Sequence, residues 1–247
     1  MNLSSDNYRE KEFHNKLQAS SKSRFENIFY KAIYNSDEDF FKFIEINSMN
    51  SEILDYGCGI GNSIKRVANF NPKKISGIDI SEVSIQKAKN LILDLNIKAE
   101  LFVDNCEKTK FKDNSFNIVY GEGILHHLSL PLCLKEINRI LKSRGKFLFV
   151  EPLGTNPIIN LYRKLTPNSR SVDEHPLIDL DFKLIENDFI NVKLKYYGLL
   201  TLIFFPFYKS PQNSIIFNFF KNLDQFLFKF KIFQKLAWSV LITAEKT

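Results

Sequence analysis

Between residues 51 and 151, short apolar runs alternate with segments of helical periodicity. The runs are SEILDY (51–56), KISGID (74–79), AELFV (99–103), FNIVY (116–120) and GKFLFVE (145–151). Residues 62–69, 82–95 and 130–142 place apolar side chains at three- and four-residue spacings instead. Parallel strands cannot be joined by tight turns; they need crossovers, which helices supply while covering both faces of the sheet. The alternation therefore predicts an α/β fold: a doubly wound, mostly parallel sheet with helices on both faces. Ser81 before Glu82 reads as a helix start, and KSRG after Leu141 reads as a basic last helical turn stopped by glycine. In such sheets ligands bind outside the carboxyl ends of the strands, at the point where the strand order reverses.

The flanks extend this plan to a single domain over 1–247. Up to about Asn47 the pattern is helical, as in SRFENIFYKAIY and DEDFFKFIEI, which makes 1–48 an N-terminal helical cover over a ligand-binding core at 49–152. Residues 153–176 read as a loop covering the pocket. A helix near 177–188, a strand near 191–198 and a last strand LAWSVLITAE (236–245) follow. Two terminal strands of this kind pair antiparallel at the sheet edge, which gives seven strands with an antiparallel last one and leaves 199–235 as an insertion.

At 247 residues and 44% hydrophobic, the chain can bury a sizeable core. Its beginning, MNLSSDNYREKEFHNKLQ, has no apolar h-region, so no signal peptide is expected. The longest uncharged apolar run, Tyr196 to Tyr208, is too short to span a bilayer. Cys58, Cys106 and Cys133 are far apart and odd in number, which predicts neither disulfides nor a zinc site and fits a reducing cytoplasm.

Three glycines fall within five residues in ILDYGCGIGNSI (53–64), directly after a strand. Such a loop lets backbone approach a ligand closely and aims amides at it. A nicotinamide fingerprint, G-x-G-x-x-G, needs a glycine where Asn62 stands, and no Lys-Ser/Thr pair follows to make a phosphate-binding loop. The spacing is instead Asp55-x-Gly57-x-Gly59-x-Gly61.

This spacing resembles motif I of the class I S-adenosylmethionine (SAM)-dependent methyltransferases, and the likeness continues in order down the chain. SGIDIS ends its strand with Asp79, where the resemblance implies an acidic residue bonding both ribose hydroxyls; a carboxylate offers two acceptors to two donors. FVDNCEKTKFKDNSFNIVYGEGILHHL resembles the third-to-fourth strand passage, which places Asn105, where relatives carry Asp, at the adenine amino group and Cys106 beside the ring. LCLKEINRILKSRGKFLFVEP resembles the helix and fifth strand completing the core. EPLGTNPIINLYRKLTP…DEHPL (151–177) and EFHN (12–15) look like segments of a bacterial subgroup. The resemblance implies a Rossmann-like fold, SAM as cofactor, and a cofactor site of Asp55, Gly57, Cys58, Gly59, Gly61, Asp79, Ile80, Asn105, Cys106 and Glu122.

Among the acid–base candidates, His126 and His127 follow GEGIL at the carboxyl end of the fourth strand, where an acceptor would meet the methyl group. In some relatives the histidine directly after the Ile-Leu pair assists the acceptor, which singles out His126 over His127. Glu122 is the second catalytic candidate, through the acceptor or the SAM amino group. Glu151 is expected to face the same cleft, with His175 in the covering loop and His14 closing the pocket from the N-terminal helix, each of the three read as structural rather than catalytic. No H-x-x-x-H spacing is present, and no metal is expected. The reading is methyl transfer to a small organic acceptor. Its alternatives are a SAM-fold binding or scaffold protein without turnover and, less favoured, a nicotinamide oxidoreductase.

The formal charge of +6 is concentrated at one end: from Asn191 onward eight lysines face only Asp224 and Glu245, and ten of the 24 phenylalanines lie between Phe204 and Phe233. Over 214–235 the residues Ile216, Phe219, Phe220, Leu223, Phe226, Leu227, Phe230 and Phe233 form one helical stripe, widened by Phe217 and Phe228. Two readings compete: a lid or homodimer surface, or a peripheral contact with anionic membrane at its cytoplasmic face. Nucleic acid is disfavoured, because the charge excess is modest and comes with Phe and few Arg.

Overall fold

The computed structural model describes residues 3–19, 28–167, 170–208 and 210–247. Seven strands form one sheet: β1 (Glu52–Tyr56), β2 (Lys74–Asp79), β3 (Glu100–Val103), β4 (Phe116–Glu122), β5 (Leu141–Pro152), β6 (Ile190–Tyr197) and β7 (Ser239–Glu245). Their spatial order is β3-β2-β1-β4-β5-β7-β6. Pairing is parallel from β3 through β5, and β7 runs antiparallel to both β5 and β6. This is the doubly wound sheet that the alternation implied, with the Rossmann-like form the resemblance implied and the reversed last strand expected of the two terminal strands. The chain winds outward from β1 to β3 and then crosses back to β4. The switch point thus lies between the carboxyl ends of β1 and β4.

Strand periodicity sorts the core into two layers. Ile53, Ile75, Ile118 and Leu148 pack with α2 (Tyr34–Ser48), α3 (Asn62–Val67) and α4 (Glu82–Asp94) through Phe40, Ile44, Ile64, Val67, Ile85 and Ala88. Their neighbours Leu54, Val119, Phe147 and Phe149 point to the other face. They meet α5 (Leu130–Ile140) and, beyond a helix α6 (Pro157–Leu165) that stands where 153–176 was expected to be loop, α7 (Asp179–Asp188), through Leu134, Ile137, Ile140, Phe182 and Ile185. Burying each such side chain fully contributes about 1.5–3 kcal/mol. Because both faces are covered, the central strands are apolar at almost every position. Ser81 caps α4 as expected, its Oγ accepting from Ser84 N at 3.0 Å.

Two local expectations are corrected. The segment KSRG is not the last turn of α5: the helix ends at Ile140 and β5 begins at Leu141. Buried Leu141 pairs with Phe116, the register then slips by a bulge, and Arg144 takes a left-handed φ of 62° before Gly145. Lys142 Nζ is drawn onto Glu52 Oε2 at 2.5 Å and Asn117 Oδ1 at 3.0 Å, a strand-to-strand contact unavailable to a helix terminus. At the N-terminus, α1 (Ser5–Ala19) precedes a 3-10 turn at Ile28–Ile33 that leads into α2. Residues 23–27 of the helical pattern read in SRFENIFYKAIY lie outside the described residues.

The other correction concerns 199–235. The single stripe over 214–235 is broken: α8 (Leu200–Ile203) comes first, then α9 (Ile215–Leu227) and, after a turn, α10 (Lys231–Gln234). Phe217 and Phe228, expected only to widen the apolar arc, are the buried members, together with Asp224. Ile216, Phe219, Leu223, Phe226 and Phe230 face outward, Phe219 being 62% and Phe226 54% exposed. Asp224 sets this rotation. Its carboxylate accepts from the amides of Leu199 (3.2 Å), Leu200 (2.7 Å) and Thr201 (3.2 Å) and from Thr201 Oγ1 (2.8 Å), satisfying the exposed amides at the start of α8. Once Asp224 points inward, Phe217 and Phe228, two turns before and one turn after it, turn in with it, and Leu223 and Phe226, one and two positions away, point out.

Candidate active site

The loop after β1 holds Gly57, Gly59 and Gly61 at φ of 80°, 51° and 87°, conformations that side-chain-bearing residues reach only with strain. Two further constraints differ along the loop. A Cβ on Gly57 would come within 2.6 Å of Ile124, whereas one on Gly59 would meet no protein atom within 4 Å. The backbone at Gly59 therefore borders open space at the mouth of the sheet. Gly57 N and Cys58 N both donate to Ile78 O, at 2.9 and 2.8 Å, which pins the loop against the end of β2.

Asp79 ends β2 beside this loop. Its Oδ2 accepts from Gly59 N at 3.0 Å and its Oδ1 from Ser81 N at 2.8 Å, so each oxygen keeps a lone pair for a ligand. Burial pushes the Asp79 carboxyl above its ordinary range, against the Ser81 amide, His14 and the Gly59 amide. Asp55 lies deeper: burial, then the charges of Glu122 and Asp79, lift it well above the usual range, while Tyr120 opposes the shift. Its Oδ2 has no hydrogen-bond partner of good geometry. Glu122, at the end of β4, accepts from Ser63 Oγ at 2.6 Å. Surrounding protein desolvates its carboxyl and, against the Ser63 bond and with the nearby Asp37 charge, raises it to about 7. The side chain is nevertheless open to solvent in the cleft, so water screens part of that shift.

Asn105 is buried, with Nδ2 donating to Asn7 Oδ1 at 2.9 Å and Oδ1 accepting from Glu107 N at 2.9 Å. One Nδ2 hydrogen and one Oδ1 lone pair remain for a ligand. Cys58 and Cys106 are buried, and burial pushes both thiols well up, which leaves them unreactive packing residues. Ile80 is partly buried next to Asp79.

The histidines divide sharply. His126 is buried, and its Nδ1 lies 2.6 Å from Glu151 Oε2. Glu151, fully buried at the end of β5, also accepts from the amides of Ile124 (2.9 Å), Leu125 (2.8 Å) and His126 (3.4 Å). One carboxylate thus fixes both the turn and the ring, and holding Nδ1–H leaves Nε2 as the acceptor nitrogen. His127 turns toward α1 instead, with Nδ1 3.2 Å from Glu10 Oε2. His175 does not line the cleft: its ring is 63% exposed beside Asp181 at 3.4 Å, and only its backbone N reaches the site, donating to His126 O at 2.7 Å.

The N-terminal helix α1 lies across these strand ends. Besides Asn7 with Asn105, Asn15 Oδ1 accepts from Ser81 Oγ at 2.6 Å, Lys11 pairs with Glu82, and Arg9 forks onto Asp173 at 2.8 and 2.7 Å. Sequence reasoning missed Asn7, Glu10 and Glu174; Glu10 and His14, spaced i and i+4 on one helix, were the available signal. A cavity of about 390 Å³ lies at the β3 edge by Leu101, Phe102, Asp104 and Phe111 and includes no glycine-loop residue.

Comparison with known proteins agrees with this geometry. Residues 53–145 match a family described as "Methyltransferase domain". Over 112 residues the chain is 32% identical to sterol 4-C-methyltransferase strm-1 of Caenorhabditis elegans, covering 44% of this chain and 33% of that one. Over 192 residues it is 27% identical to an uncharacterized protein of Methanocaldococcus jannaschii, covering 73% and 78%. The chain spans only 33, 30 and 24% of the length of three of the curated relatives it matches. Among solved structures, geranyl diphosphate C-methyltransferase of Streptomyces coelicolor, in complex with Mg2+, geranyl diphosphate and S-adenosyl-L-homocysteine, superposes with a TM-score of 0.69 at 13% identity over the full length of both chains. The fold is that of the Rossmann-like methyltransferases, and the family match lies over residues 53–145, which hold the glycine loop, Asp79, Asn105 and Glu122.

Proposed function

We propose that the chain binds SAM at the β1–β4 switch point and transfers its methyl group to a small organic acceptor. The observation that carries this reading is the left-handed glycine hairpin 57–61, open at Gly59 and clasped by Asp79. In this arrangement the Gly59–Gly61 backbone approaches the amino-acid moiety, and the free lone pairs of Asp79 take the ribose hydroxyls. Asn105 has one donor and one acceptor left for the adenine edge. Three carboxyl groups lifted by burial, Asp55, Asp79 and Glu122, with Asp55 raised further by the charges of the other two, suit a ligand that carries positive charge.

When bound, SAM supplies an activated methyl on a sulfonium; the S–CH3 bond breaks as the new bond forms, leaving S-adenosylhomocysteine. His126 takes the acceptor's proton on Nε2, and Glu151 stabilises the imidazolium through Nδ1–H. The α1 helix and the 170–175 loop exclude water. Calorimetry with SAM is expected to give a 1:1 complex whose affinity rises as pH increases through about 7, because Glu122 then loses its proton and adds a negative charge beside the cationic ligand. No binding of SAM at any pH overturns the reading.

A second reading deepens the first. Ile216, Phe219, Leu223, Phe226 and Phe230 form an outward apolar stripe on α9 and its C-terminal turn, and Phe207 (67% exposed) and Ile232 (70%) extend it. Lys221, Lys229, Lys231 and Lys235 flank it. Among the described residues no helix is long and apolar enough to cross a membrane. Aromatic side chains rimmed by lysines match an anionic bilayer surface, apolar groups at the acyl boundary and ammonium groups at headgroups. The acceptor would then be hydrophobic or lipid-linked. Full-length protein is expected to float with vesicles containing anionic lipid, and Phe219→Glu with Phe226→Glu to remain in the soluble fraction. Flotation unchanged by the double substitution, or absent for the native chain, removes this reading; a dimer dissociated by the same changes assigns the stripe to a second copy.

A further inference from the structure

Glu10, His14 and His127 converge where α1 crosses the turn after β4. Glu10 Oε2 lies 3.2 Å from His127 Nδ1 and 3.5 Å from His14 Nε2. The side chains of Glu10 and His127 are each only 5% exposed. Glu10 Oε2 and His127 Nδ1 are both buried without a hydrogen-bond partner, although they face each other, because their approach lacks hydrogen-bond geometry. Two facing buried polar atoms left unsatisfied destabilise a fold that does not use them. The spacing has another meaning. Ligands at about 2.1 Å from a tetrahedral ion stand about 3.4 Å from one another, so 3.2 and 3.5 Å are edges of such a polyhedron.

We propose that Glu10, His14 and His127 form a binding site for a first-row divalent transition-metal ion. Two imidazoles and one carboxylate are the ligand types that zinc, cobalt and their neighbours prefer over the all-oxygen sets of calcium and magnesium. The expected ligand atoms are Glu10 Oε2, His14 Nε2 and His127 Nδ1, with a fourth position left for water or an acceptor oxygen. The surroundings support this set. His127 turns Nδ1 toward Glu10. Its other nitrogen, Nε2, lies 3.8 Å from Glu174 Oε1, a carboxylate behind a ligating histidine. Ser171 Oγ donates to the second oxygen of Glu10 and orients the carboxylate. A second grouping, His126, His127 and Glu174, also comes within ligating reach, but His126 Nδ1 is committed to Glu151 and the shortest His127–Glu174 contact is longer. The ion would staple α1 to the turn carrying His126 and so close the cleft from above. The site does not depend on the methyl-transfer reading, since its ligands include no residue of the glycine loop.

Tag-free, full-length protein stripped with chelator and titrated with Co2+ tests this directly. One Co2+ per chain is expected, with visible d–d absorption of a low-symmetry nitrogen–oxygen site and displacement by Zn2+. His14→Ala and Glu10→Gln are each expected to weaken binding at least tenfold with unchanged circular dichroism, and His175→Ala to leave it as it is. Because His14 is partly exposed at 27% of its side chain, its truncation spares the fold. Absence of binding in the native chain overturns the site. So does affinity insensitive to both His14→Ala and Glu10→Gln, including the case where His126→Ala alone abolishes it.

Discussion

Replacing His126 with alanine is expected to lower the rate of methyl transfer by about 10²–10⁴-fold, the usual contribution of a positioned general base, with SAM affinity changed less than about twofold. The expectation rests on how tightly the ring is held. Glu151 has no exposure, and it accepts from three consecutive amides as well as from Nδ1 at 2.6 Å. Every lone pair that faces the turn is therefore used, and the ring has one tautomer and one orientation. Glu151→Gln keeps the shape but offers an NH2 group to Nδ1, so it permits the tautomer that places the proton on Nε2. That variant should lose a large part of the rate through His126 without losing SAM. Transfer of labelled methyl from SAM into extract, followed by product analysis, measures both variants. A rate unaffected by His126→Ala would falsify the base assignment and mean that the acceptor arrives already deprotonated.

Replacing Asp79 with alanine is expected to weaken SAM binding by about 1–3 kcal/mol, a factor of roughly 5 to 150, through unpaired ribose hydroxyls. The same carboxylate holds Gly59 N at 3.0 Å and Ser81 N at 2.8 Å, so its loss also frees the glycine hairpin and places the effect toward the upper end. Asp79→Asn retains one acceptor and should fall between the two. Calorimetry, with circular dichroism as a folding control, gives the comparison. Equal affinities for native protein and Asp79→Ala would remove Asp79 from the cofactor site.

Much of the sheet was legible because its signals are local. Each of β1, β2, β4 and the later part of β5 is a short apolar run, and Ser81 caps α4 within three residues of itself. The left-handed turn at 57–61 was legible because only glycine tolerates that backbone three times in five residues. The rotation of α9 was not. An apolar stripe read by periodicity can face in or out, and the choice was made by Asp224 satisfying the amides of a helix more than twenty residues earlier. The start of β5 was misread for the same reason: a basic KSRG segment suits a helix end locally, while Glu52 and Asn117 on neighbouring strands draw Lys142 into the sheet.

By itself the sequence determined the strand–helix alternation, the glycine hairpin and the acidic residue ending β2, since backbone conformation and short-range periodicity depend on residues a few positions apart. Only the tertiary structure decided which histidine belongs to which carboxylate. His126 and His127 are adjacent in the chain, yet the turn after β4 sends one ring to Glu151 on β5 and the other to Glu10 on α1. Those partners lie 25 and 117 positions away, and charge pairing at such separations depends on where folding places the groups in space.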